Sequence, residues 1–461
     1  MTKRTEIDDT IVQKLATGFS GDLLQDGDEG YDDARRVYNG MFDRRPGLIA
    51  RCLTTGDVAA AVQVAREHDL LVAVRGGGHS IAGFSVCDGG LMIDLSRMKS
   101  IDVDPEGRTA RAQPGVLLQE LDAATQAFGL ATPLGFVSVT GIAGLTLNGG
   151  IGFLSRKHGL SCDNLIGAEV VLANGEVVHA SDSEDVDLLW GLRGGGGNFG
   201  IVTSFEYRLH EVSEIYGDMQ FFTADRFADV LRHYARVSPG LPDEALLFAG
   251  TLTVPENEMF PPELHGVFCV LLLGGYVGSE ADGQRVFQPL HDGPEPDFAM
   301  AMSMPYQMAQ MMQDEDMPDG RQNYWKSGNL DELGEDAIQT IVEHALTATS
   351  PHTSTGIMTV GGAIARVAET ATAYSGRQAA YNVSIDNIWE DPSENEAQIA
   401  WTRTFFDALR PHLGAGAYLN FNSEVAPDDV AELYGPNYLR LRELKHRYDP
   451  TNLFSLNQNI R

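Results

Sequence analysis

Residues Val72–Ser80 read Val-Ala-Val-Arg-Gly-Gly-Gly-His-Ser and concentrate more chemistry than any other short stretch of the chain. Consecutive glycines let a backbone turn through positive φ and bring its N–H groups close to an anion, which suits a diphosphate. His79 and Ser80 follow at once, so an imidazole is held beside whatever the loop cradles. A second cluster, Val137–Gly152, has small residues at Gly141, Ala143, Gly144, Gly149, Gly150 and Gly152. Bare backbone of this kind lets a large planar ligand lie along it, although close helix–strand packing also selects glycine. The third cluster is Arg193-Gly-Gly-Gly-Gly-Asn-Phe-Gly200. A glycine-rich turn with an incidental histidine would explain the first cluster alone. Three clusters before residue 210 describe one ligand-binding domain.

The spacing excludes several chemistries. Gly76–Gly78 is neither GxGxxG opening a helix nor a Walker loop, so a nicotinamide Rossmann domain and a phosphoryl-transfer site are poorly supported. No GxSxG, HExxH or paired-histidine pattern appears. Asp314–Gly320 is acidic, but Pro318 falls where a calcium loop needs a ligand, so no metal is expected. Cys52, Cys87, Cys162 and Cys269 are widely spaced and read as buried free thiols.

The elements that must position these loops follow from periodicity. Leu48–Leu53 and Leu70–Val74 read as strands around a helix over Asp57–His68, with Val58, Ala61, Val62 and Ala65 on one face and Thr55 and Asp57 as N-cap candidates. Leu91–Leu95 is a strand, Ile101–Gln113 a hairpin turning at Asp104–Gly107, and Val116–Phe128 a helix. Asn174-Gly175 marks a hairpin between Ile166–Leu172 and Glu176–Ala180. Asp185–Leu192 reads as a helix and Ile201–His210 as a strand. From residue 211 the glycine clusters stop. Strand-like runs (Leu246–Thr253, Val267–Tyr276, Gly356–Gly362, Ala380–Ile388) alternate with amphipathic helices (Phe227–Val237, Asp336–Ala348, Glu394–Leu409), predicting an α+β lobe with an antiparallel sheet and helices on one face. Met300–Met317 reads as loop and core filler, and Gly416–Asn422 as a strand before a final helix and a polar tail.

The chain has 461 residues and a formal net charge of −32, with a sequence pI near 4.6. That charge disfavours nucleic acid and anionic lipid as partners. Lysine occurs only at Lys3, Lys14, Lys99, Lys157, Lys326 and Lys445. A lysine-poor, acidic surface suggests a halophilic protein, because at molar salt the Debye length falls to about 3 Å and self-repulsion is screened. Its melting temperature is expected to rise between 0.1 M and 3 M KCl, and an unchanged value would refute this reading. Met1–Leu24 is polar and no run has the length of a membrane span, so a soluble cytoplasmic protein, monomer or homodimer, is expected.

Arg75-Gly-Gly-Gly-His79-Ser80, the Gly141–Gly152 turn, Arg156–Asn164, Leu189–Thr203 and the ending Tyr448–Ile460 occur in an order that resembles one family. It is the FAD-linked oxidases of the vanillyl-alcohol-oxidase superfamily, berberine-bridge-enzyme-like branch, and the likeness covers nearly the whole chain. Arg45–Leu53 and the 141–152 turn look most similar to bacterial members of the hydroxynicotine-oxidase type. The resemblance implies a two-part FAD-binding domain (PCMH-type) made of residues 1–210 and 416–461, with a substrate domain, 211–415, inserted between.

The resemblance further implies cofactor contacts from Arg75, Gly76, Gly77, Gly78, His79, Ser80 and Gly83. The second loop would add Val137, Thr140, Gly141, Gly144, Asn148, Gly149 and Gly152. Ile201, Val202, Asn420, Asn457 and Asn459 would complete the set. In the family the histidine matching His79 is bonded to the flavin 8α-methyl, with Arg75 a candidate for the polar surroundings of an electron-rich flavin. Many members add a cysteinyl bond at the position that here is Val137, so a single bond through His79 is expected. The tyrosine matching Tyr418, in Tyr418-Leu-Asn420, would act as general base during hydride transfer. Free tyrosine has a pKa near 10, so that role needs nearby positive charge or hydrogen bonds.

The lysine and glutamates of the hydroxynicotine-oxidase type have no counterpart in Gly356–Gly362, and that type lacks the tyrosine. Oxidation of an alcohol, such as a sugar or secondary-metabolite hydroxyl, is therefore favoured over amine oxidation or a flavoprotein without a catalytic role. Trp325, Lys326 and Tyr381 are candidate substrate residues. Thr140 sits in the turn that influences oxygen access in relatives, which leaves O2 or another acceptor open.

Overall fold

The computed structural model describes residues 7–256, 260–426 and 428–461, so residues 1–6 of the polar N-terminal stretch lie outside the described residues. Leu48–Arg51 and Val72–Arg75 both run parallel to Leu91–Asp94, which lies between them. Helix Thr55–Glu67 makes the crossover. Its N-cap is Thr54, whose side chain accepts from the Asp57 N–H. Asp57 answers by accepting from the N–H groups of Thr54 and Leu53, a capping box one residue earlier than the periodicity suggested.

A second sheet is antiparallel, in the order Ile101–Asp104, Thr109–Ala112, Ile201–Arg208, Leu165–Val171, Val177–Ser181. Both expected hairpins are present in it. The first glycine cluster follows Val72–Arg75 of the first sheet, and the third leads into Ile201–Arg208 of the second. The four cysteines are free and buried, as expected. No helix among the described residues is long and apolar enough to cross a membrane.

The third sheet has seven antiparallel strands in the order Phe298–Pro305, Glu214–Thr223, Phe268–Val277, Ala245–Thr253, Ser354–Thr359, Tyr381–Trp389, Gln322–Leu330. Helices Phe227–Val237, Glu280–Phe287, Glu335–Ala345 and Asn395–Leu409 bury one face of it, around Leu247, Val270, Leu272, Val383 and Ile385. The fold is thus α+β with an antiparallel sheet and helices on one face. Three strands were not legible beforehand. Phe298–Pro305, inside the segment read partly as methionine-rich loop, is an edge strand. Gln322–Leu330 is too polar to read as a buried strand, and Gly217 interrupts Glu214–Thr223. Gly416–Asn422 is corrected as well: it carries a 3-10 turn at Leu419–Phe421 and no strand.

Where helix Leu118–Gln126 meets helix Tyr306–Met311, Asp122 is buried and accepts from Gln310 Nε2 at 3.2 Å, with Oδ1 unpartnered. Burial raises its carboxyl to about 7. Between about pH 4 and 7 the folded chain holds a proton that the unfolded chain releases, so stability drops as pH rises through that window. Asp122→Asn is expected to gain at least about 2 °C in Tm over the parent at pH 8.5 and less at pH 5. An advantage that does not grow with pH would refute the assignment.

Candidate active site

The first two glycine clusters meet backbone to backbone. A Cβ on Gly77 would stand 2.6 Å from Gly141 Cα, and one on Gly141 2.5 Å from the Gly77 nitrogen. Gly78 adopts φ +76°, the left-handed region, and turns the chain so that His79 and Ser80 line a cavity. The His79 ring stacks on Tyr38 with centroids 3.8 Å apart. Burial pushes its imidazole down to about 4, so the ring is neutral at pH 7 and keeps a nucleophilic lone pair.

Gly76, Gly77 and Gly78 form part of the cavity wall with His79 and Ser80. Val137, Thr140, Gly141, Gly144 and Asn148 supply the next part. Ile201 and Val202 enter from the second sheet, and Tyr418, Asn420 and Asn457 from the C-terminal segment. Trp325 faces the same space from the seven-stranded sheet. Residues from 1–210, 211–415 and 416–461 thereby converge on one cavity.

Seven expected residues lie outside that lining. The Arg75 guanidinium folds back behind the loop to donate to the Ala34 carbonyl. Gly83 is a left-handed turn residue under the ring of Phe42, and a Cβ on Gly152 would strike the Leu134 carbonyl. Gly149, at φ +120°, is where Tyr374 packs, so these three glycines serve packing. In the tail Gln458 and Leu456 border the cavity with Asn457, whereas Asn459 does not. Lys326 follows Trp325 on the strand and so points the opposite way, donating to the Glu424 carbonyl at 2.5 Å. Tyr381 lies on the helix-covered face, bonded to Ser238 Oγ at 2.7 Å.

Asp386 is the residue that sequence reasoning missed. It sits five positions beyond Tyr381, on the other face of the same strand, and lines the cavity across from Trp325 in register. Burial raises its carboxyl to about 7, offset in part by a hydrogen bond from Ser384 Oγ. The one signal available was alternation: Ser384 and Asp386 share a face that would have to be apolar in a closed core.

Tyr418 is 1 % exposed. Its oxygen accepts from the Ile151 N–H at 3.2 Å and from Asn420 Nδ2 at 3.1 Å. Burial raises the phenol above its usual range and these donors pull it partly back. Of the two supports a phenolate needs, hydrogen bonds are present. Among the described residues no lysine or arginine lines the cavity.

The tail is pinned by polar groups. Lys445 is buried and donates to the carbonyls of Asn198 at 3.0 Å and Phe454 at 2.9 Å while pairing with Asp449 at 2.7 Å. Asn198 Oδ1 accepts from the Ile460 N–H. Between the loops and the large sheet, Arg377 is fully buried, with two hydrogen bonds to the Asp163 carboxylate at 2.6 and 3.0 Å.

Comparison with known proteins fits this geometry. A model described as FAD binding domain matches residues 46–181, and one described as berberine and berberine like matches 417–461. The (R)-6-hydroxynicotine oxidase of Paenarthrobacter nicotinovorans is 32 % identical over 97 % of this chain and 98 % of its own. This chain belongs to the berberine-bridge-enzyme-like FAD-linked oxidoreductases. Within the family, the crystal structure of 6-hydroxy-D-nicotine oxidase from Arthrobacter nicotinovorans superposes with a TM-score of 0.85 at 30 % identity, covering 96 % of this chain and 98 % of that one. The glucooligosaccharide oxidase of Sarocladium strictum is 29 % identical over 92 % of this chain and 89 % of its own.

The cavity suits the family's cofactor. Gly144 and Gly197 line it with no protein atom within 4 Å of where a Cβ would stand, which leaves room for a flat dinucleotide. The buried Oδ1 atoms of Asn148 and Asn457 have no protein partner and remain to receive donors from it.

Proposed function

We propose that this FAD-linked oxidoreductase oxidises an alcohol, and that Asp386 and Tyr418 manage the hydroxyl proton. The reading is carried by one observation: a carboxyl poised near neutrality and a phenol share a cavity that, among the described residues, no lysine or arginine lines. FAD, when bound, takes the hydride from the carbon. The Tyr418 oxygen already accepts two hydrogen bonds, so its own O–H is free to hold the substrate oxygen. Asp386, ionised above about pH 7, takes up the proton that the hydroxyl loses. Trp325 Nε1 is buried without a protein partner and adds a donor from the same wall.

Residues 1–210 and 416–461 would hold the cofactor and 211–415 the substrate, as the three converging walls suggest. Anaerobic mixing with a panel of alcohols, sugars and amines tests the proposal. Bleaching of the flavin by alcohols or sugars is expected. Bleaching by amines alone would make Asp386 a counter-ion for an ammonium group and overturn the choice.

The neutral imidazole of His79 supports a single covalent link to the flavin 8α-methyl, with Val137 unable to form a second. Acid-precipitated protein should then keep its yellow colour, and His79→Ala should release all of its FAD into the supernatant. Release from the unaltered chain would refute the link.

A further inference from the structure

Residues Phe298–Gln313 include six methionines and no charged side chain, in a chain of net charge −32. The first half of this stretch, Phe298–Pro305, is the outermost strand of the large sheet. Among the described residues, Glu214–Thr223 pairs with one of its edges and no strand pairs with the other. Soluble proteins blunt such an edge with lysine, an inward-pointing charge or a proline inside the strand. Phe298–Met304 has none of these, and Ala299 and Ala301 are exposed. Met302 in the strand, and Met308 and Met311 in the helix that follows, are 38 %, 59 % and 52 % exposed. Bare apolar surface beside an open edge, on an otherwise acidic protein, marks an interaction site.

The ladder fixes which backbone groups are spare. The Tyr306 N–H donates to the Ser213 carbonyl at 3.1 Å, in phase with the pairs Met304–Ile215, Met302–Gly217 and Met300–Met219. Alternate residues of an antiparallel strand turn their N–H and C=O to opposite sides. The even-numbered residues therefore bond inward, and Ala299, Ala301 and Ser303 turn their backbone groups outward. Their small side chains lie on the helix-covered face, opposite Gln220, Asp218 and Tyr216. Phe298, Met300, Met302 and Met304 lie on the other face.

A second copy of this chain offers the matching row. Turned about a two-fold axis at Ala301, the strand meets itself antiparallel, with Ala301 opposite Ala301, Ala299 opposite Ser303 and Met300 opposite Met302. Each outward N–H then finds a carbonyl, and no charge faces a charge. Neither neighbouring register does as well. Sliding by two residues one way sets Pro305, which has no N–H, against Ala299. Sliding the other way sets Ser303 against Asp297, whose N–H is already given to the Phe221 carbonyl at 2.9 Å. We infer that the protein is a homodimer joined edge to edge along Phe298–Pro305, so that the two seven-stranded sheets run on as one. Like charge opposes association over the rest of the surface, which leaves this uncharged edge as the place where two copies meet. The inference does not depend on the substrate reading.

Sedimentation velocity of the holoenzyme tests it. A dimer is expected, with a dissociation constant that falls at least about tenfold between 0.1 M and 1 M KCl. Over that range the Debye length shrinks from about 10 Å to about 3 Å, which screens the repulsion between two acidic bodies. Ala301→Pro removes an outward N–H that the single chain does not use, at an edge position where proline is tolerated. Met302→Lys sets a charge against Met300 of the second copy. Both variants should stay monomeric where the parent is dimeric and keep its flavin absorbance; if Ala301→Pro fails to fold, Met302→Lys decides alone. Amide exchange at Ala299, Ala301 and Ser303 should be slow in the parent and fast in Met302→Lys. A parent that is monomeric in 1 M KCl overturns the inference. So does a dimer whose dissociation constant Met302→Lys leaves unchanged, and so does equal exchange at those three residues in the parent dimer and the variant.

Discussion

Tyr418→Phe should slow anaerobic flavin reduction by about 10²–10³-fold while the resting flavin spectrum stays unchanged. The substitution removes one oxygen from a ring that is otherwise held by Phe421 at a centroid distance of 4.7 Å, so little else moves. What disappears is the O–H that holds the substrate hydroxyl, and the Ile151 N–H and Asn420 amide lose their acceptor. The companion variant is Asp386→Asn. In the parent enzyme kcat/KM should rise with pH through about 7, because the acceptor must first lose its own proton. That limb should vanish in Asp386→Asn. If the two residues serve one proton, the double variant will be slower than either single by much less than the product of their effects. A Tyr418→Phe enzyme within threefold of the parent would remove Tyr418 from the reaction.

Asp163→Ala is the second large effect, and it acts on stability. The change leaves the Arg377 guanidinium buried opposite an empty site, with the Thr372 hydroxyl at 2.6 Å, the Ile364 carbonyl at 3.3 Å and the face of the Tyr374 ring at 5.3 Å as neutral partners. Removing one member of a buried pair costs about 3–5 kcal/mol, far more than a surface pair, because the surviving charge stays desolvated. The loss should reach the site as well. Glu369 accepts from the N–H groups of Gly376 and Arg377 and folds their loop so that Tyr374 lies against Gly149 and Gly194. Chemical denaturation with flavin absorbance as a second probe checks both. A midpoint unchanged from the parent would show that Arg377 finds solvent in the variant.

Much of this site could be read from the chain because glycine leaves an unambiguous mark. Gly77 and Gly141 must be bare where two backbones touch, and their loops stood out without any structure. The same signal also misled. Gly83, Gly149 and Gly152 are bare for Phe42, Tyr374 and the Leu134 carbonyl, and a sequence does not say which neighbour a missing side chain accommodates. Alternation explains the errors on the substrate side. Trp325 and Lys326 are both substrate candidates by sequence, yet adjacent strand residues face opposite ways, and only the strand's place in the sheet decides which way is inward. Asp386 was invisible for a related reason: its strand was recognised, but a carboxyl there reads as surface until the cavity is known. Lys445 was equally hidden, since nothing in a basic helix end announces that one lysine reaches the carbonyls of Asn198 and Phe454.

The pinning of Asn198 by Ile460 has a consequence for how the protein is made. Val202 leaves the ribosome long before Tyr418 and Lys445, and at bacterial to eukaryotic rates of translation the interval is about 10–40 s. During that delay the nascent first lobe has its glycine loops but no floor beneath them. A chaperone would meet it half-built, and loading of the dinucleotide must wait until synthesis has delivered the missing wall.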